Sequence, residues 1–353
     1  MHDQRSAAPV RSHVFAAALA LSLSAAVQAQ VRVGVTNLVT DDPMANPAKI
    51  VDPGLANAWG IALSSMSPFW VSANGTDLAE IYSVDPATQA VAKVNLTVTL
   101  PAGGVTGQVF TGGVGFGGDL FLFVNEAGGI AGWRGALGTT AETLRTPLDA
   151  NVYKGAAFAT IGANSYLYAA NFRAGTIDVL KGTQGAPDLT GRFTDPNLPA
   201  GFAPFNIQNL GGTMYVTYAQ QDAAKHDEMP GAGLGFVDKF DAQGNLIARL
   251  ASRGTLDAPW GLAIAPTSFG ALAGALLVGN FGDGRINAFN STTGAFLGQL
   301  AALDGSPLAI DGLWALAPGN DSNGGSSAMI YFSAGPDDEA HGLFGRIDLV
   351  RSN

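Results

Sequence analysis

Three phrases constrain this chain more than any other feature: Trp59-Gly-Ile-Ala62, Trp260-Gly-Leu-Ala263 and Trp314-Ala-Leu-Ala317. Weaker copies lie between the first two, at Thr106-Gly-Gln-Val109, Lys154-Gly-Ala-Ala157 and Phe205-Asn-Ile-Gln208, so six starts recur every 47–55 residues. A repeat of that length holds four short strands, which is one blade of a β-propeller. The small residues after the aromatic suit innermost strands that crowd together around an axis.

The clearest copy spans residues 257–300. Its expected strands are Trp260–Ala265, Ala275–Asn280, Arg285–Phe289 and Ala295–Leu300, each bounded by Gly, Asn, Asp or Pro. The second strands of the six copies are apolar on both faces (Phe69–Asn74, Leu120–Asn125, Tyr166–Asn171, Met214–Ala219, Ala275–Asn280, Met329–Ala334), as strands buried between neighbouring blades must be. The sixth copy runs out of chain after its third strand, Phe344–Val350. The alternating segment Val31–Val39 supplies the missing strand and closes the ring, leaving no open edge there. The fold expected is all-β: a six-bladed propeller with four-stranded blades, one domain over residues 30–353, closed by an N-terminal strand paired with the last blade.

Residues 1–29 stand apart. Arg5 and Arg11 precede an apolar core from Val14 to Ala26, and Val27-Gln28-Ala29 fits a small-x-small cleavage site, so a cleaved signal peptide is expected. The run is too short for a comfortable membrane span and no second one follows. The formal charge of −10 becomes −11 once Asp3, Arg5 and Arg11 leave with the leader. Such a surface repels nucleic acid and anionic membranes and attracts cations. The chain has no cysteine, which excludes disulfides, thiolate metal sites and a cysteine nucleophile. Export to the periplasm or the exterior is the expected address.

Chemistry is expected on the face where the loops joining second to third strands gather. Asn74, Asn125, Asn171 and Asn280 take the same repeat position in four blades. Two roles are open to them: satisfying backbone groups at strand ends, or presenting a ring of amide oxygens to water, a ligand or Ca²⁺. Two irregular loops carry the only histidines outside the leader. His226 stands with Asp222, Asp227 and Glu228, and His341 with Asp337, Asp338 and Glu339. Either is a solvated acidic loop or a histidine–carboxylate pair fit for general-base or metal chemistry. Asp283 and Arg285 form a local ion pair or a ligand contact at the turn Phe281-Gly-Asp-Gly284. The glycines there lead into a strand and not a helix, which rules out a phosphate-cradling loop. Trp59, Trp260 and Trp314 are expected to be core packing. Gly-x-Ser-x-Gly, Ser-x-x-Lys and His-Glu-x-x-His are all absent.

Several phrases, among them Asn57-Ala-Trp-Gly-Ile-Ala62, Phe193-Thr-Asp-Pro-Asn-Leu-Pro-Ala-Gly-Phe202 and Leu277-Val-Gly-Asn-Phe-Gly-Asp-Gly284, resemble an uncharacterised family of exported bacterial β-propellers often found with PEP-CTERM sorting signals. Here Leu349–Asn353 carries no Pro-Glu-Pro, so release and not retention is the expectation. More loosely the chain resembles NHL-type six-bladed propellers and, through them, calcium-dependent gluconolactonases and paraoxonases. The first function expected is a binding or scaffolding module for a small molecule, polysaccharide or protein on the Asn-lined face. The alternative implied by the looser resemblance is a Ca²⁺-dependent lactonase or esterase. Its metal would sit on Asn171, Asn280, Asp338 and Glu339, with His341 or His226 as base.

Overall fold

The computed structural model describes Met1 and residues 31–349; the expected leader at 1–29 lies outside the described residues apart from Met1. Within them the chain is strand after strand. Blade one is Ala58–Ala62, Phe69–Ala73, Leu78–Val84 and Val91–Thr99, and blade two is Val105–Phe110, Phe121–Asn125, Ile130–Trp133 and Glu142–Arg145. Blade four is Phe202–Leu210, Thr213–Gln221, Gly235–Phe240 and Leu246–Ser252, and blade five is Pro259–Ile264, Leu276–Asn280, Ile286–Phe289 and Phe296–Ala301. Each inner strand packs against its two neighbours, and the sixth against the first, so the blades close into a ring, the last two joined in one sheet where Val31 and Arg32 pair with Leu300 and Ala301.

The sixth blade is completed as the alternation of Val31–Val39 predicts. Val31–Thr40 pairs antiparallel with Leu343–Leu349, from Val33 opposite Leu349 to Thr40 opposite Leu343. Leu313–Pro318 and Ile330–Ala334 form the inner part of that blade. Apolar side chains from facing blades fill the spaces between sheets, as where Trp70 stacks on Phe121 at 3.9 Å.

Blade three departs from the expected four strands. It has Tyr153–Ile161, Asn164–Asn171 and Thr176–Lys181 and no outer strand. The residues that follow dock on blade four instead: the amides of Gly191 and Phe193 donate to the carbonyls of Gln243 and Gly244, and Asp195 pairs with Arg249. Phe193 and Leu189 join the core shared by blades three and four.

All six inner strands shift register at the same place, just where the repeat puts Trp59, Thr106, Lys154, Phe205, Trp260 and Trp314. A bulge re-aims the side chain it contains. Here it accompanies six side chains at equivalent positions near the axis. Glycine follows where backbones meet most closely: a Cβ on Gly60 would lie 2.5 Å from the Thr106 carbonyl oxygen, and one on Gly107 would lie 2.6 Å from the Ala156 nitrogen. Trp59 stacks on Trp314 at 3.6 Å and meets Trp260 edge-on at 6.3 Å, with all three buried. These tryptophans plug the channel as a packed core.

Candidate functional site

Lys154 is the exception among the six axial residues. Its side chain is 2% exposed, yet it is charged, and it lies over the face of Trp59 with Nζ 5.1 Å from the ring centroid. A buried ammonium is costly unless paired. The pairs come from other blades: Nζ donates to Glu126 Oε1 at 2.5 Å and to Asp227 Oδ1 at 3.1 Å. Glu228 and Glu339 complete the surroundings through their charges.

Each partner is placed by its own loop. Glu126 begins the turn after the second strand of blade two, where its amide donates to the Gly104 carbonyl. Its Oε2 accepts from Asn74 Nδ2 at 3.0 Å, Asn74 Oδ1 accepts from Asn57 Nδ2, and Asn57 Oδ1 accepts from Trp59 Nε1 at 2.9 Å. Asp227 sits in the blade-four insertion. Asp222 folds that loop by accepting the His226 amide at 2.8 Å, and His226 Nδ1 lies 2.7 Å from Asp227 Oδ1. Glu339 comes from a turn in which Asp337, Asp338 and Glu339 all have positive φ (58°, 50° and 66°). Three successive left-handed residues without glycine are sterically unfavourable, and such conformations cluster at functional sites. Glu339 Oε1 is buried with no hydrogen-bond partner among the described residues.

The electrostatics follow from four carboxyls around one ammonium. Burial works against the Lys154 charge, but Glu126, Glu228 and Asp227 outweigh it and raise the lysine above its ordinary value. It is a fixed cation, not a nucleophile or base. Burial pushes Glu228 up to about 7 despite Lys154, with Glu339 and Asp227 adding to the rise. Burial also raises Glu339, again against the pull of Lys154. Asp227 moves the other way: burial would raise it, but Lys154 and His226 together hold its carboxyl below the usual range. The pocket is a fixed positive charge ringed by four carboxyls, open to solvent through Asp227 and His226, whose side chains are 61% and 38% exposed.

No family model matches the chain. Two uncharacterised proteins of Acanthamoeba polyphaga mimivirus are each 32% identical to it, one over 86% of this chain and 77% of its own, the other over 84% and 81%. The chain belongs to their family. These relatives are viral, whereas the sequence phrases resemble an exported bacterial family; the common ground with known structures is the propeller. Among solved structures, a GH93 α-L-arabinofuranosidase of Fusarium graminearum matches 90% of this chain and 98% of its own with a TM-score of 0.55 at 10% identity. A glucose dehydrogenase matches 91% and 100% with a TM-score of 0.51 at 12% identity. At such identities the likeness concerns the fold alone.

The fold brings together only part of the expected site. His226, Asp227, Glu339 and, through Glu126, Asn74 converge on Lys154. Asn171 does not: its amide oxygen accepts from the backbone amides of Val152 and Ala174, and its nitrogen donates to Asn151 and Asp178. Asn125 likewise accepts the Gly129 amide at 2.6 Å. Asn280 donates to the Thr255 carbonyl and to Asp283. Asp283 also accepts the Arg285 amide, with the Arg285 side chain 3.7 Å away, so that turn closes on itself. Asp338 is exposed. His341 turns to Asp41 and Asp42, at 3.5 and 3.6 Å. Of the expected metal set, Asn171 has its oxygen committed to backbone amides, whereas the Asn280 oxygen is buried with no hydrogen-bond partner among the described residues. Glu126, His226 and Asp227 do bring ligand atoms within 4.8 Å of one another. Lys154 already holds two of those three residues, and its ammonium repels a divalent cation placed there. Lys154, Glu126 and Asn57 were missed, whereas Glu228 was among the carboxylates expected beside His226. The available signal was a lysine standing where the repeat otherwise puts aromatic or small residues.

Proposed function

We propose that this protein is an exported ligand-binding propeller whose site is the axial mouth around Lys154. The observation that carries the reading is the buried lysine itself, at a position built for core packing and held by carboxylates from other blades. Surplus carboxyl groups at a solvent-open mouth favour a small molecule that brings hydrogen-bond donors and positive charge. Export rests on the apolar stretch Val14–Ala26 and the small-x-small site ending at Ala29.

Trp59, beneath Lys154, is a built-in reporter. Titrating the protein with putrescine, with glucose and with CaCl₂ while following tryptophan fluorescence separates a cationic ligand, a neutral polyol and a metal. Saturable quenching by the diamine, lost in Asp227→Asn without a change in melting temperature, is expected. A response to CaCl₂ alone would replace this reading with a metal-dependent one.

One observation favours a second reading, hydrolysis of a lactone or ester at the same mouth: Asp227 and Glu228 are neighbours whose pKa values move apart, the pattern of a base and an acid. On that reading Glu228→Gln abolishes turnover of a chromogenic ester, and the rate falls as pH rises through about 7.

A further inference from the structure

Blade three is the one blade whose outer position is vacant, and the edge left there is chemically defined. The Gly182 amide donates to the Ser165 carbonyl, which sets the phase of the ladder: residues 176, 178 and 180 bond the neighbouring strand. The amides and carbonyls of Ile177, Val179 and Lys181 then point away from the sheet, and they have no hydrogen-bond partner among the described residues. In blades one, two, four and five the corresponding groups meet an outer strand of the same blade, and in blade six they meet Val31–Thr40.

The chain does not return to fill this place, because residues 187–195 are fastened elsewhere. Pro187 accepts from the Tyr166 hydroxyl, Gly191 and Phe193 bond blade four, and Asp195 is locked to Arg249. Between this connection and the open edge lies a slot of about 350 Å³. Ile177, Val179, Leu189 and Phe193 give it an apolar wall, and Lys181 and Arg192 line it with positive charge. Lys181 is paired with Asp188 at 2.5 Å, whereas the exposed Arg192 guanidinium has no partner among the described residues.

We infer that the outer edge of blade three is a docking site for an extended peptide segment of another protein, which adds as the fourth strand. An edge of unpaired amides and carbonyls selects extended backbone. Alternation along the added strand turns one side chain in two toward the apolar wall, and an acidic residue among the others meets Arg192. The site is separate from the axial mouth and does not depend on what binds there.

The test uses the full chain and a fluorescein-labelled hexapeptide, Thr-Val-Glu-Val-Glu-Val, capped at both ends, with a control N-methylated at alternate residues. Anisotropy should show saturable binding of the first and none of the second. Amide exchange should slow at Ile177, Val179 and Lys181. Val179→Pro, which removes an outward amide on an edge strand, should weaken binding about tenfold or more with the melting temperature unchanged. Arg192→Glu should weaken this peptide and strengthen its lysine-for-glutamate counterpart. Equal binding of the methylated control, or binding without protection of those three amides, overturns the proposal. So does protection of the same amides in a homodimer without peptide, which would assign the edge to a second copy.

Discussion

Two buried ionic clusters in this molecule invite comparison. In blade four, Arg249 holds Asp238 at 3.0 Å and also grips Asp195, joining adjacent strands and the incoming connection. At the axis, Lys154 holds Glu126 and Asp227, with Glu228 and Glu339 close by. The first cluster sits within one blade and its approach and fastens a local piece of chain. The second draws on blades two, three, four and six, carries a surplus of carboxyls, and reaches solvent through a half-exposed loop. A local, nearly balanced cluster serves stability. An unbalanced one at the one point where all blades converge has chemistry left over for a ligand.

Removing the cation tests this most severely. Lys154→Met strands several carboxylates and should cost about 3–5 kcal/mol, the usual result of breaking a buried ion pair from one side, measured by urea unfolding; ligand response should vanish with it. Arg249→Met should cost somewhat less, about 2–3 kcal/mol, because burial has already pushed Asp238 up to about 6 and it takes up a proton readily. Diamine binding should survive. If Arg249→Met abolished binding as completely as Lys154→Met, the distinction between the two clusters would collapse.

The gentlest probe is pH. A carboxyl raised from 4.5 to about 7 in the folded state contributes stability that is complete below about 4.5 and lost as pH climbs through 7. Wild-type melting temperature should therefore fall across this window relative to Glu228→Gln, which keeps the shape and has no proton to lose. Parallel curves for the two proteins would show that Glu228 does not hold its proton in the native state.

The frame of the molecule was legible because it repeats. Trp-Gly at 59, 260 and 314, the apolar second strands and the alternation of Val31–Val39 are local patterns, and each predicts its own strand. The asparagines at strand ends were half legible: their chemistry allowed ligation or turn closure, and the bonds of Asn125 and Asn171 show turn closure. The axial cluster was not legible, since Glu126, Lys154, Asp227 and Glu339 meet only once four blades are in place. Lys154-Gly-Ala-Ala157 read as a degraded copy of the motif, whereas its lysine is the substitution that matters. The missing outer strand of blade three was hidden for a similar reason: nothing within residues 182–201 announces that they pair with the following blade.

The seam where Val31–Thr40 lies against Leu343–Leu349 has a consequence for how the molecule is made. A ring joined there cannot close until Leu343–Leu349 has been synthesised, and until then Val31–Thr40 is an extended segment without its partner. Pairing between such distant stretches is slow, and an unpaired strand invites other chains in the interval. The same seam keeps the two ends of the ring side by side in the finished protein. A circular permutant cut in the exposed turn of blade five and joined across the seam would turn the slowest contact into a hairpin.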